Sequence, residues 1–416
     1  MLYLADKKAK LFKGDYKPVS LYLGDKKVTG YEYAEQTGEI LSFERTYNDS
    51  AYIKMYGKTV ETGEGEKSPD NPYELKSVGD DGGFDLVSSW RNLIPPFTND
   101  YTVTLQGVTM SVLKGGQSVR VDGEFTGSSP GGRISLRSVA GRIKLEGGVT
   151  YTFSAYHVGG TYSGMSAYLN KVSDNTFIAS TNFKGTGVQI TPSEDTECYI
   201  GVVLSVGAKC EDAEFVFQIE RGVSTSPYTP FRGMQTVHIP YTLRGQGDVR
   251  DTIEYIGGNR WRHIQRWGRK VFDGTEILNA STASSNEEYF GVYTLFENTA
   301  LAPLIRRGYC SHGGVWTIGA LGWASVGSGF IYNLNPYHFL RLPRTIANNV
   351  DEFRAFLIAE HAAGTPWTVE YELAEPIITY FAAPAPQTYY PYTQIYTTAT
   401  VQPTLEAKIR VWEGNY

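Results

Sequence analysis

The sequence predicts a mainly β protein: an N-terminal β-meander, an antiparallel, jelly-roll-like β-sandwich, and a C-terminal β-rich domain with one helix. Three observations predict it. Runs such as YTFSAY (151–156) and EFVFQIE (214–220) alternate, putting Tyr151, Phe153 and Ala155, or Phe215, Phe217 and Ile219, on one face of a strand. Gly/Ser-rich breaks at 127–132 and at Gly147-Gly148 recur at intervals too short for packed helices. The composition, with 45 Gly, 30 Tyr, 19 Phe and 41% hydrophobic residues, suits a turn-rich β protein with ample core, and 416 residues are too many for one ordinary core.

Residues 1–60 open with a decad repeat: LYLADKKAK from Leu2, LFKGDYKPVS from Leu11 and LYLGDKKVTG from Leu21. Each unit is a short apolar-aromatic strand followed by a Gly/Ala-Asp step, and Gly14-Asp15 and Gly24-Asp25 suit tight turns. So small a meander buries little by itself, so Leu2, Tyr3, Leu11, Phe12, Leu21 and Tyr22 are assigned to attachment, docking on a partner or on sister chains. Lys7, Lys8, Lys26 and Lys27 read as charges guarding strand edges. ILSFERTY and AYIKMYGKTV, separated by Asn48-Asp49-Ser50, predict a hairpin.

Residues 61–89 begin with ETGEGEKSPDNP, which mixes Gly, Pro and charge without an apolar period and reads as a surface linker. Residues 90–232 form the sandwich. There Val216, Gln218 and Glu220 should look away from the core into water, so Gln218→Ala should cost little beside Phe217→Ala. In residues 233–416, Asp273-Gly274 is a hairpin-type turn. Strands are expected in EYFGVYTLF, GVWTIGALGW, TVEYELA, PIITYF, TQIYTTATV and AKIRVWE. The one helix begins at Asn349 as cap, with Asp351 and Glu352 at its positive end, Val350, Phe353, Phe356 and Leu357 at helical spacing, and Gly364 after its end.

A formal charge of -6 without a dense Lys/Arg block after the first thirty residues leaves no electrostatic footprint for nucleic acid. Cys198, Cys210 and Cys310 are odd in number and lack CxxC spacing, which predicts buried free thiols rather than disulfides or a zinc site. The start MLYLADKKAK has no apolar signal-peptide core, and no stretch reaches the ~18 apolar residues of a membrane span, so synthesis in a cytoplasm without membrane insertion is expected. Gly245-Gln-Gly247 and Gly327-Ser-Gly329 lack the further glycines and the lysine of phosphate loops, and GxSxG and HExxH are absent. Cys310 and His312 are too few for a metal centre, so neither metal nor cofactor is expected.

SPDNPYELKSVGD (68–80), NLIPPFT with GVTMSVLKGGQSVRVDGEFTG, and the closing FQIERGVSTSPYTPFRG resemble the recurring linker and carbohydrate-binding-like sandwich of tail and fibre proteins of phages of Gram-positive bacteria. IPYTLRGQGDVRDTI and VEYELAEPIIT resemble phrases that follow this sandwich. The resemblance implies a virion structural protein, a tail-fibre or baseplate component. It would be made in the host cytoplasm and released by lysis, with other virion proteins and a bacterial cell-surface glycan as partners. It also implies a homo-oligomer, by analogy a trimer, and no enzymatic activity. Two further readings stand beside it: a head or neck decoration protein without ligand, and a polysaccharide-degrading tail enzyme. The latter needs two carboxylates flanking the bond, for which Asp80-Asp81, Glu194-Asp195 and Glu287-Glu288 are poor candidates, since adjacent acids on a strand point to opposite faces.

Sugars bind by stacking a ring face on an aromatic side chain while polar neighbours take the hydroxyls. On the face expected to be wet, Tyr156 lies with Thr152 and Ser154, and Tyr168 with Ser166 and Asn170. Tyr156, Tyr162 and Tyr168, with Asp174 as acceptor, are therefore the candidate carbohydrate-binding residues. For any one of them, covering a sheet or lining a subunit contact is the competing role.

Overall fold

The computed structural model describes residues 32–44, 46, 51–128, 131–140, 142–223, 225–282, 284–295, 308–317, 327–332, 337–389 and 392–411, and four three-residue strands before them. Among these residues the protein is mainly β with one helix, as expected.

The chain's ends, not its middle, build the base of the molecule. Strand Phe84–Ser89 lies between Met234–Ile239 and Tyr392–Thr397, with Leu41–Glu44 beyond, in a four-stranded sheet. A seven-stranded sheet faces it, with strands Glu32–Gly38, Tyr52–Tyr56, Thr252–Gly257, Arg260–Val271, Thr368–Ala382 and Thr404–Val411 among its members. Phe43, Phe84, Leu86 and Ile395 from the first sheet and Ile53, Met55, Trp261 and Leu405 from the second share one buried core. Burying two inner faces against each other is what makes these amphipathic strands stable.

This arrangement changes the boundaries read from the sequence. Residues 1–60 and 233–416 are not separate regions, because their strands alternate within one sheet. Residues 61–89 are not a linker: Thr59–Thr62 pairs with Glu74–Ser77 in a hairpin, and Phe84–Ser89 is a central strand. ILSFERTY and AYIKMYGKTV do not form a hairpin either, since Leu41–Glu44 and Tyr52–Tyr56 belong to different sheets. A tight-turn signal says that the chain reverses, not which layer it enters. Asp273-Gly274 is likewise a turn that joins no paired strands. Asp273 Oδ1 accepts from the Thr275 N–H at 2.9 Å, and a Cβ on Gly274 would meet Ile358 of the helix at 2.4 Å.

The sandwich is an insertion between two paired strands. Ser89, where the chain leaves the base, is the register partner of Met234, where it returns. Trp90 closes the doorway: it is buried, its N–H donates to the Gly233 carbonyl at 3.0 Å, and Arg232 lies over its ring at 5.2 Å. Arg221 secures the joint, with Nη1 at 3.1 Å from both Glu146 oxygens and its guanidinium 3.9 Å above the Tyr396 ring of the base.

Inside the insertion a continuous nine-stranded antiparallel sheet wraps one core. The long strands Tyr151–Lys171 and Thr196–Arg221 run through it, with register shifts near Gly159 and between Ser163 and Met165. Such bulges bend paired strands and allow one sheet to supply both halves of a sandwich. Phe153, Phe215, Phe217 and Ile219 are in the core as the alternation predicts. The opposite face is not wet. Thr152, Ser154, Gln218 and Glu220 are buried too, because residues 225–231 lie across them. Thr229 N–H donates to Gln218 Oε1 at 2.7 Å, and Ser226 N–H to Glu220 Oε1 at 3.1 Å.

The last unit packs the helix Val350–Ala363 on a five-stranded sheet through Phe353, Leu357, Trp367, Phe290 and Leu340. Asn349 Oδ1 accepts from the Glu352 N–H at 2.9 Å, and Gly364 adopts φ 82°, as the cap signals predict. TVEYELA and PIITYF merge into Thr368–Ala382; Pro376 is tolerated because its residues fall in the register shift opposite Gln265 and Trp267. All three cysteines are free and buried.

At the N-terminus the described parts of the decad units form two two-stranded pairs, Leu2–Leu4 with Lys7–Ala9 and Leu21–Leu23 with Lys26–Val28. Leu2, Tyr3, Leu21 and Tyr22 lie on these strands; Leu11, Phe12 and Gly14-Asp15 lie outside the described residues.

Candidate functional site

The sequence-predicted tyrosines do not form an open stacking face. Tyr156 is half-buried under the cover, its hydroxyl donating to the Ser226 carbonyl at 2.5 Å and its ring 5.9 Å from Tyr228. Tyr162 packs edge-on against Phe183 and Phe215, at 5.7 and 5.2 Å, and so serves the core. Tyr168 is 3% exposed, and burial pushes its phenol up to about 12. Alternation placed Tyr156 and Tyr168 opposite the core correctly, but that face is itself covered, while Tyr162 turns toward the core.

Asp174 is exposed, in the turn between Lys171 and Phe177. Its Oδ1 accepts from the Thr176 N–H at 2.8 Å, and that bond holds its carboxyl below the usual range. It shapes the turn that leads into the strand Phe177–Thr181.

That strand borders a groove of about 550 Å³. Phe177–Thr181 pairs with the C-terminal half of Tyr151–Lys171, and Val188–Ile190 with its N-terminal half, so both lie along the same edge of the sheet. Ala179 and Thr181 turn inward, and a register shift between Leu169 and Asn170 lets Ile178 pack on the core as well, so that Phe177, paired with Asn170, looks away from it. It is left 51% exposed. Lys171, Ser180, Gln189 and Ser193 line the groove with it, Lys171 Nζ being held 3.0 Å from Glu194 Oε1. An exposed ring beside hydroxyl, amide and ammonium groups suits a ligand with one apolar face and a polar rim. The sequence held a signal for Phe177, an aromatic opening a strand just after an Asp-Asn turn; which side of the sandwich it would border was not readable.

A second cleft, of about 700 Å³, lies in the base and is lined by Tyr73, Lys76, Asp80, Arg269, Ser311 and Thr365 among others. Its floor is a buried charge network. Glu370, fully enclosed, accepts from Arg244 Nε at 3.1 Å, Thr59 Oγ1 at 2.8 Å and Ser77 Oγ at 3.2 Å. Asp80 is held by Arg269 at 3.0 Å and by the Ser77 N–H at 2.6 Å, which commits it to the fold.

No protein-family model and no curated protein matches this chain. Two solved structures overlap it weakly. That of the infectious bursal disease virus Gt strain shares 11% identity over 47% of this chain and 78% of its own, with a TM-score of 0.13. That of an infectious bursal disease virus subviral particle shares 7% identity over 94% of this chain and 86% of its own, with a TM-score of 0.14. Overlaps this slight carry no argument about what this protein does, so its function is argued from its own residues.

Proposed function

We propose that this protein is a structural protein of a phage virion, a tail-fibre or baseplate component, that holds a bacterial cell-surface glycan in the groove beside Phe177. The observation that carries the binding role is this exposed ring, set among polar side chains on an inserted domain whose position on the base is secured by Trp90 and Arg221. The virion assignment is supported by the resemblance of SPDNPYELKSVGD and the phrases around the sandwich to phage tail and fibre proteins.

On an array of Gram-positive cell-wall glycans, the full chain should retain a specific set, and Phe177→Ala should weaken that binding about tenfold, the ~1.4 kcal/mol of one stacking contact. Because Phe177 is half exposed, melting should stay unchanged. Retention of no glycan, or equal retention by the variant, would remove the binding role.

The attachment role of the decad units is tested separately. Without residues 1–30 the sandwich should keep its fold while the protein fails to join particles lacking their own copy, and its mass in solution should fall to that of a monomer. Assembly at native occupancy and mass would reduce the repeat to an ordinary pair of hairpins.

A further inference from the structure

Ser311, His312 and Glu360 form a continuous hydrogen-bonded chain at the wall of the larger cleft. Ser311 Oγ lies 2.7 Å from His312 Nδ1, and His312 Nε2 lies 3.2 Å from Glu360 Oε2. Ser311 and His312 are neighbours in one turn, and Glu360 comes from the helix. Ser311 directly follows strand Gly308–Cys310 and is fixed by its N–H donating to the Thr368 carbonyl at 2.9 Å; Glu360 stands in the last turn of the helix. The imidazole is buried and rigid, stacked on Trp367 at 5.2 Å with only 7° between the planes. Glu360 accepts from Nε2–H, which fixes the tautomer and leaves the Nδ1 lone pair for the serine proton. The Thr365 hydroxyl, donating to the same carboxylate oxygen at 2.8 Å, keeps it aimed. On the serine side, the Thr368 N–H donates to Ser311 Oγ at 2.8 Å and occupies one lone pair; of the two acceptors within reach of the hydroxyl proton, His312 Nδ1 at 2.7 Å is nearer than the Pro366 carbonyl at 3.4 Å.

We propose that Ser311 is the nucleophile of an acyl-ester hydrolase site, with His312 as its general base and Glu360 as a positioning residue. The ring nitrogens are exchanged relative to the serine-protease order. The proton acceptor and the oriented N–H still sit on opposite sides of the imidazole, so the chemistry is the same. Ser311 Oγ attacks the ester carbonyl carbon as its proton passes to Nδ1. The C–O bond to the alcohol then breaks, and the alcohol leaves with that proton. Water, deprotonated by the same nitrogen, cleaves the acyl-serine, releasing the carboxylic acid and restoring the hydroxyl. Lys76 and Arg269 also line the cleft, each 3.0 Å from a carboxylate, Glu74 and Asp80 respectively, so their charges are already paired in the resting fold. Ser311 is only 4% exposed, so the substrate class is an ester of a small acyl group. This site is independent of the groove at Phe177.

The test uses the full chain with p-nitrophenyl acetate and, separately, a fluorophosphonate probe. Hydrolysis above the buffer rate is expected, together with a single adduct mapped by mass to Ser311; Ser311→Ala should abolish both. Glu360→Gln should slow hydrolysis about tenfold or more. Burial holds the His312 imidazole below its ordinary range while Glu360 opposes that shift. The rate should therefore be on its plateau at neutral pH and fall only in acid, and Glu360→Gln should move the fall to still lower pH. A limb that stays in place in Glu360→Gln would mean that this carboxylate does not act on the imidazole. Because Ser311 also braces Thr368, the wild-type adduct decides the matter even if the alanine variant is unstable. A wild-type chain that neither hydrolyses the ester nor carries the adduct on Ser311 overturns the proposal, and so does labelling that survives Ser311→Ala.

Discussion

Replacing Glu370 by alanine is expected to lower the folding free energy by about 3–5 kcal/mol, the cost of removing one partner from a buried ion pair. The carboxylate is fully enclosed and satisfies Arg244, Thr59 and Ser77 at once. Without it, Arg244, with a side chain only 14% exposed, keeps just the distant Asp80 at 3.8 Å, and the Thr59 and Ser77 hydroxyls, 2.8 Å apart, keep only each other in place of the carboxylate. The hairpin of Thr59–Thr62 and Glu74–Ser77 is docked on the base through these groups, so it should become protease-sensitive first. Glu370→Gln, which keeps the shape and drops the charge, should lie between the variant and wild type in urea denaturation. A loss under about 1 kcal/mol for the alanine variant would mean that Leu75 and Val78 alone hold the hairpin.

The second large effect concerns neighbours on opposite faces of one strand. Phe217→Ala should destabilise the inserted domain by about 3–5 kcal/mol through the cavity it leaves. Gln218→Ala, a surface change by alternation alone, should cost about 2–4 kcal/mol. The Thr229 N–H and Ser226 Oγ, bonded to it at 2.7 and 2.9 Å, would be left beside a void under the cover. Urea denaturation of both variants, followed by the near-ultraviolet signal of the aromatic core, checks this. A cost at Gln218 below about 0.5 kcal/mol would show that residues 225–231 do not seal that face.

The contrast between these two positions separates what was legible in the sequence from what was not. Phe217 was readable because alternation is a property of the strand itself. The burial of Gln218 was not, because its cover arrives from residues 225–231, a Ser/Thr/Pro-rich stretch with no apolar period. The same limit applies to the candidate site. Side-chain direction at Tyr156 and Tyr168 was right, yet exposure is set by whatever lies above the strand. Ser311 and His312 are adjacent in sequence, but Glu360 joins them only where the helix packs against the end of strand Gly308–Cys310.

By itself the sequence determined the β class, the core faces of the strands and the whole of the helix, from the Asn349 cap to the left-handed Gly364. Each of these depends on residues within a few positions of one another, through periodicity, capping or a local φ. Only the tertiary structure decided that Phe84–Ser89 pairs with Met234–Ile239, that the sandwich is an insertion between them, and that the two ends of the chain share one core. Any amphipathic strand of similar length offers the same hydrogen-bonding edge and apolar face. The choice of partner is therefore made by the fit of all the layers together, and that information is spread over the chain rather than written in any one segment.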